Sequence, residues 1–210
     1  MAKLKGGILG SAHGKVSGVV AASWKGINYV RTLVTPANPK TAQQVAARDK
    51  FKSCAQWAMP IIGQILNVYV GPFERRMSAF NWFVKSNLAV FVTPMVYSVV
   101  KVSHGNLKGV DAPNITNASG TITVQYGSSL GPSGLATDFV MAFCYDETSG
   151  LYYYASAEVA RSVGTLIIPG VPIVTGDKLD CWVVTCRRDR ALAAGKVLMV
   201  SESQYCTVTM

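Results

Sequence analysis

Acidic residues are scarce in the first half of this 210-residue chain. Residues 1–102 hold Asp49 and Glu74 against 13 Lys and Arg, whereas residues 103–210 hold nine acids against seven bases. The two halves therefore carry +11 and −2, which together make the net charge of +9. A basic half joined to a nearly neutral one points to an anionic partner, nucleic acid or an acidic protein surface, for one part of the molecule. Histidine is scarcer still. His13 and His104 are the only two, and neither has the spacing of a metal set or the sequence context of a catalytic base. The five cysteines, Cys54, Cys144, Cys181, Cys186 and Cys206, form no CxxC and no even ladder. That argues against a disulfide framework and for a reducing compartment, with Cys181 and Cys186 expected as small buried apolar residues. Uninterrupted hydrophobic runs are missing too. Pro60, Gln64, Asn67, Pro72, Thr93 and Pro94 break the apolar stretches, so no membrane span is expected. The opening MAKLKGGILG has lysines but no long apolar region, so no secretory signal is expected either.

Half of the residues are hydrophobic, enough for a substantial core, and only 15% are charged. Glycines crowd residues 6–18, where they permit turns and close backbone approach. A short strand is expected near residues 4–9. The stretch GKVSGVVAASWKGINYVRTLV then reads as a β-hairpin turning at Trp24-Lys25-Gly26-Ile27. Asn38 and Pro39 look like an N-cap and first helical position, and Ala47, Phe51, Cys54 and Ala58 mark one apolar stripe on the helix that follows. Pro60 should end or kink it; further helices are expected at 61–70 and 77–89. From residue 95 the pattern is β, with strands expected at 95–102, 120–126, 137–145, 151–159, 164–168, 179–187 and 197–207. Their rhythm suggests a β-sandwich of immunoglobulin or fibronectin type III character. The expected class is α+β, mainly β: residues 1–94 form a basic hairpin arm with a helical insertion, and residues 95–210 form the sandwich.

No motif carries chemistry. Gly10-Ser11-Ala12-His13-Gly14-Lys15 has three residues between its glycines where a phosphate loop needs four, and Val16 stands where Ser or Thr would reach magnesium. The acids Asp146, Glu147, Asp177 and Asp180 sit at turn signals that account for them. Arg187-Arg188-Asp189-Arg190 follows the strand-like CWVVTC and is expected either to blunt the strand end or to grip an anion. The better basic surface combines Lys3, Lys5, Lys15, Lys25 and Arg31 with Arg48, Lys50 and Lys52 of the first helix and Arg75 and Arg76 before the third. Trp57, Tyr69 and Trp82 lie among these basics at helical spacing and are read as core.

The segments KLKGGILGSAHGKVSGVVAASWKGINYVRTL and ANPKTAQQVAARDKF resemble a family of uncharacterised proteins from Bacteroidota and their phages. The second carries an NPKTxxQxxxRxxF element made by Asn38, Pro39, Lys40, Thr41, Gln44, Arg48 and Phe51. The resemblance is concentrated in residues 3–51, and Ala12 and His13 depart from the aromatic and serine usual there. It implies a phage or prophage structural component and supplies no catalytic residues. The expected function is a non-catalytic virion protein (capsid, decoration or tail), made in the bacterial cytoplasm and resident in the particle. Its expected partners are further copies of itself, other virion proteins and packaged nucleic acid. No cofactor, metal or small-molecule substrate is expected. The alternative is a nucleic-acid-binding protein that uses the basic half.

Overall fold

The computed structural model describes residues 3–5, 11–25, 27–35, 37–74, 76–118, 120–127, 129–172, 176–189 and 195–209. The Gly6–Gly10 part of the glycine-rich stretch, Gly26, Arg75 and Arg190 lie outside them. The chain divides into two compact units, Met1–Gln44 and Val45–Met210.

In the first unit, β1 (Lys3–Lys5), β2 (Ser11–Val16), β3 (Val19–Trp24) and β4 (Ile27–Thr32) form an antiparallel sheet in sequence order. The β2–β3 turn is Ser17-Gly18, with φ of +35° and +79°. Positive φ at both central residues matches the right-handed twist of the flanking strands, and glycine adopts it without steric cost. Val16 and Val19 pair across that turn, and Trp24 and Ile27 pair across the next.

Helix α1 spans Ala42–Ala58. It does not begin at Pro39: Lys40 has φ +48°, a left-handed residue that a right-handed helix cannot contain. Thr41 takes the capping role expected of Asn38, its Oγ1 accepting the Gln44 N–H at 3.4 Å. Pro60 closes the α-helix as expected, since it has no amide to continue the ladder. The chain continues through a 3-10 turn at Met59–Ile61, a π turn at Ile62–Leu66 and the short α2 (Asn67–Tyr69). Helix α3 (Ala79–Asn87) is capped by Ser78, whose Oγ accepts the Asn81 N–H at 3.2 Å.

The remainder is mainly β, so the α+β class holds. One sheet contains β5 (Asp111–Ala118), β6 (Thr121–Gly127) and β10 (Thr165–Pro169), ordered β10-β6-β5. The larger sheet is built on β11 (Lys178–Arg188). One side of β11 pairs with β7 (Phe139–Asp146), and the other pairs with β12 (Val197–Val200) and β13 (Gln204–Thr209). β8 (Tyr152–Tyr154) and β9 (Val159–Ala160) extend β7.

Leu179 to Cys186 of β11 are all buried, which marks a strand covered on both faces. Trp182 and its partner Phe143 carry the face toward the helices: Trp57 of α1 meets Trp182 at 5.2 Å and Phe143 at 6.4 Å between ring centroids. The alternate face, with Cys181 and Val183, is left for the smaller sheet, whose Ile122, Val124, Leu166 and Ile168 join the same core. One continuous cluster thus unites the helices from Cys54 onward with both sheets.

Two expectations are corrected here. Residues 95–102 are not a strand; they hold only a 3-10 turn at Tyr97–Val99. Side chains satisfy their backbone groups in place of a ladder. Asn87 donates to the Lys101 carbonyl at 2.8 Å and accepts its N–H at 2.7 Å, and Trp182 Nε1 donates to the Val100 carbonyl at 3.0 Å. The cysteines are not all reduced either. Cys144 and Cys181 face each other in register on β7 and β11 and are joined as a disulfide. Cys54 and Cys186 are buried free thiols, and Cys206 is a half-buried one. Among the described residues, no helix is long and apolar enough to cross a membrane.

Candidate interaction surface

The basic residues singled out in the sequence fall into both units. Lys3 and Lys5 occupy β1, opposite His13 and Ser11. Lys15 is exposed on β2 and Arg31 is exposed on β4, and both lie in register with Val20 of β3. Lys25 sits exposed at the β3–β4 turn with φ +47°. In the second unit, Arg48 and Lys52 are exposed and Lys50 is half-buried on α1, and Arg76 is exposed in the turn before α3. Arg75 lies outside the described residues.

Pairing across β2, β3 and β4 sorts these strands into two unlike faces. Directly opposed residues of an antiparallel pair share a face, and alternate residues switch. One face receives Lys15, Val20, Ala22, Ile27, Tyr29 and Arg31. The other receives Gly14, Val19, Ala21, Ser23, Asn28, Val30 and Thr32, with no charged residue among them. Both charged residues of the three strands therefore lie on the same side.

Neither side holds a buried residue among those of described burial. Every residue of β4 is exposed, with Ile27 at 69% and Val30 at 68% of full exposure. Leu33 and Val34 follow in the same state. The expected apolar stripe of α1 is only half realised. Cys54 and Ala58 are buried beside Trp57, but Ala47 is exposed and Phe51 is 49% exposed. From Gly14 to Ser53, no residue of described burial is buried. Reasoning on charge alone missed these apolar groups. The signal for them was INYVRTLV, where apolar residues occur in both phases of the strand repeat, so neither face reads as a solvent face.

Three arginines of the second unit lead inward. Arg187 and Arg188 form the end of β11 itself, and each grips a carboxylate of the same chain. Arg187 Nε donates to Asp138 Oδ1 at 2.7 Å, and Arg188 holds both Glu158 oxygens at 2.5 Å. Tyr69 also donates to Glu158, at 2.5 Å; burial beside that carboxylate raises its phenol far above the ordinary range. Arg161 is fully buried and donates to the Lys108, Gly109 and Ser129 carbonyls at 2.7, 2.6 and 2.5 Å, tying three loop strands together. The groove beside β8, 760 Å³ in volume and lined by Tyr152, Tyr153 and Tyr154, has Glu158 and Arg188 in its wall; each is the other's ion-pair partner. His104 packs its ring 5.8 Å from that of Trp82. Among the described residues, no group of three His, Cys, Asp or Glu side chains is placed to hold a metal ion.

A family model described as a family of unknown function matches residues 11–199, nearly the whole of both units. No curated protein and no solved structure matches the chain.

Proposed function

We propose that this chain, which belongs to the family of unknown function DUF6266, is a non-catalytic structural subunit that assembles with further copies of itself. The observation that carries the reading is regular structure without a core. β2, β3, β4 and the first three turns of α1 are formed, yet nothing of described burial between Gly14 and Ser53 is buried. A small antiparallel sheet gains little stability from its ladder alone and needs packing on at least one face. Val19 and Val30, exposed on the uncharged face, offer apolar surface for that purpose, worth about 25 cal/mol for each Å² removed from water. The chain is strongly basic, so two copies repel where their charges meet. They meet without that penalty on the uncharged face of Val19, Ala21 and Val30.

A bacteriophage or prophage particle is the setting we assign, on the resemblance of residues 3–51 to phage-borne proteins. Capsid, decoration and tail components all use surfaces completed by neighbouring subunits. Light scattering on the purified full chain tests the reading. It predicts a mass that rises above the monomer's with concentration, and a strictly monomeric protein overturns it.

A further inference from the structure

We propose that the second face of the N-terminal sheet, the one bearing Lys15, Tyr29 and Arg31, is a binding surface for single-stranded nucleic acid. The inference deepens the assembly reading by giving the two faces different partners. Residues 1–44 contain six Lys and Arg and no acid, so nothing within this segment neutralises a bound polyanion's attraction. Within β2–β4 the cations are confined to one face, which separates a charged surface from an uncharged one on the same sheet.

The layout on that face suits a flexible polyanion. Lys15 and Arg31 flank Val20 in a row across three strands, which places their backbones on the order of 10 Å apart. Tyr29 lies two residues from Arg31 on β4, roughly 7 Å along the strand, and is itself exposed. Ala22 opposes Tyr29, so a small residue adjoins the ring and leaves room beside it. Cations that meet phosphates, interleaved with aromatics on which unpaired bases stack, are the two components of sequence-tolerant single-strand binding. An acidic peptide needs the cations but gains nothing from Tyr29. A duplex hides its base faces and is contacted through phosphate alone.

The test is fluorescence anisotropy of a labelled oligothymidylate titrated with the full chain at several salt concentrations between about 50 and 200 mM. The duplex of equal length and polyglutamate serve as competitors. The expected result is binding that weakens as salt rises. Lys15→Gln with Arg31→Gln should lower the log–log salt slope by about 1.4, the release expected for two phosphate contacts on a single strand. Tyr29→Ala should weaken binding about 5- to 150-fold, the range for losing one stacked base, whereas Tyr29→Phe should retain it. Equal competition by polyglutamate, a stronger preference for duplex, or indifference to all of these substitutions overturns the proposal. Light scattering on the same variants keeps the two readings apart. Loss of nucleic-acid binding with the oligomer intact bears on this face alone, and loss of the oligomer in the unsubstituted protein bears on the assembly reading.

Discussion

Asp180 is a buried group that responds to pH, and no solvent reaches its side chain. Tyr205 donates its hydroxyl to Oδ1, Lys178 stands 3.6 Å away, and Oδ2 has no hydrogen-bond partner. Burial is the largest influence and pushes the carboxyl up to about 6. A carboxyl raised in the folded state holds its proton after the unfolded chain has released it, so the unfolded state gains stability as pH rises from about 4 to about 6. A difference of roughly two pH units corresponds to about 3 kcal/mol. Asp180→Asn should accordingly gain on the wild type across that window, and denaturant midpoints at pH 4 and pH 7 measure it. A constant difference between the two proteins at both values contradicts the assignment. Sequence alone placed Asp180 at a turn, because Asp177 and Gly176 precede it. Its hydrogen bond from Tyr205 comes from the neighbouring strand, 25 residues further along the chain, a contact that has no local signature.

At the scale of elements, rhythm was legible and exceptions were not. β6, β7, β10 and β11 appear close to where alternation and turn residues put them, since a strand covered on one or both faces writes its period into the chain. β5 escaped notice. Its DAPNITNA carries Pro113, two asparagines and an irregular register between Asp111 and Asn114, and its backbone bends at Ala112 with φ +41°. Residues 95–102 erred in the other direction. VYSVVKV has strand propensity, but Asn87 reaches from α3 to occupy both backbone groups of Lys101, and no local reading sees a partner 14 residues away. The basic surface was legible as composition, and its sorting onto one face required the register of β2, β3 and β4. The uncharged face makes a prediction at this scale. Val30→Asp places a desolvated charge in the proposed contact between copies and should lower the oligomer's stability by several kcal/mol. Because Val30 is 68% exposed, the fold itself should change by no more than about 0.5 kcal/mol. Sedimentation velocity and thermal unfolding of the same sample separate the two effects; an unchanged oligomer counts against the face.

The whole molecule combines two contrasting units. Val45–Met210 has a continuous core of helices and two sheets, cross-linked at Cys144–Cys181 and tied at its loops by the buried Arg161. Met1–Gln44 has strands and charge, and no buried residue among those whose burial is described. A stable core beside a coreless sheet is the division expected of a subunit that completes its packing only in company. The measurement that reaches this claim most directly is hydrogen exchange on the full chain across a wide range of concentration, read peptide by peptide. The account predicts that amides of β3, β4 and the first three turns of α1 gain protection as concentration rises, while those of β7 and β11 stay equally protected throughout. Exchange in residues 19–53 that is slow in dilute solution and indifferent to concentration would contradict it.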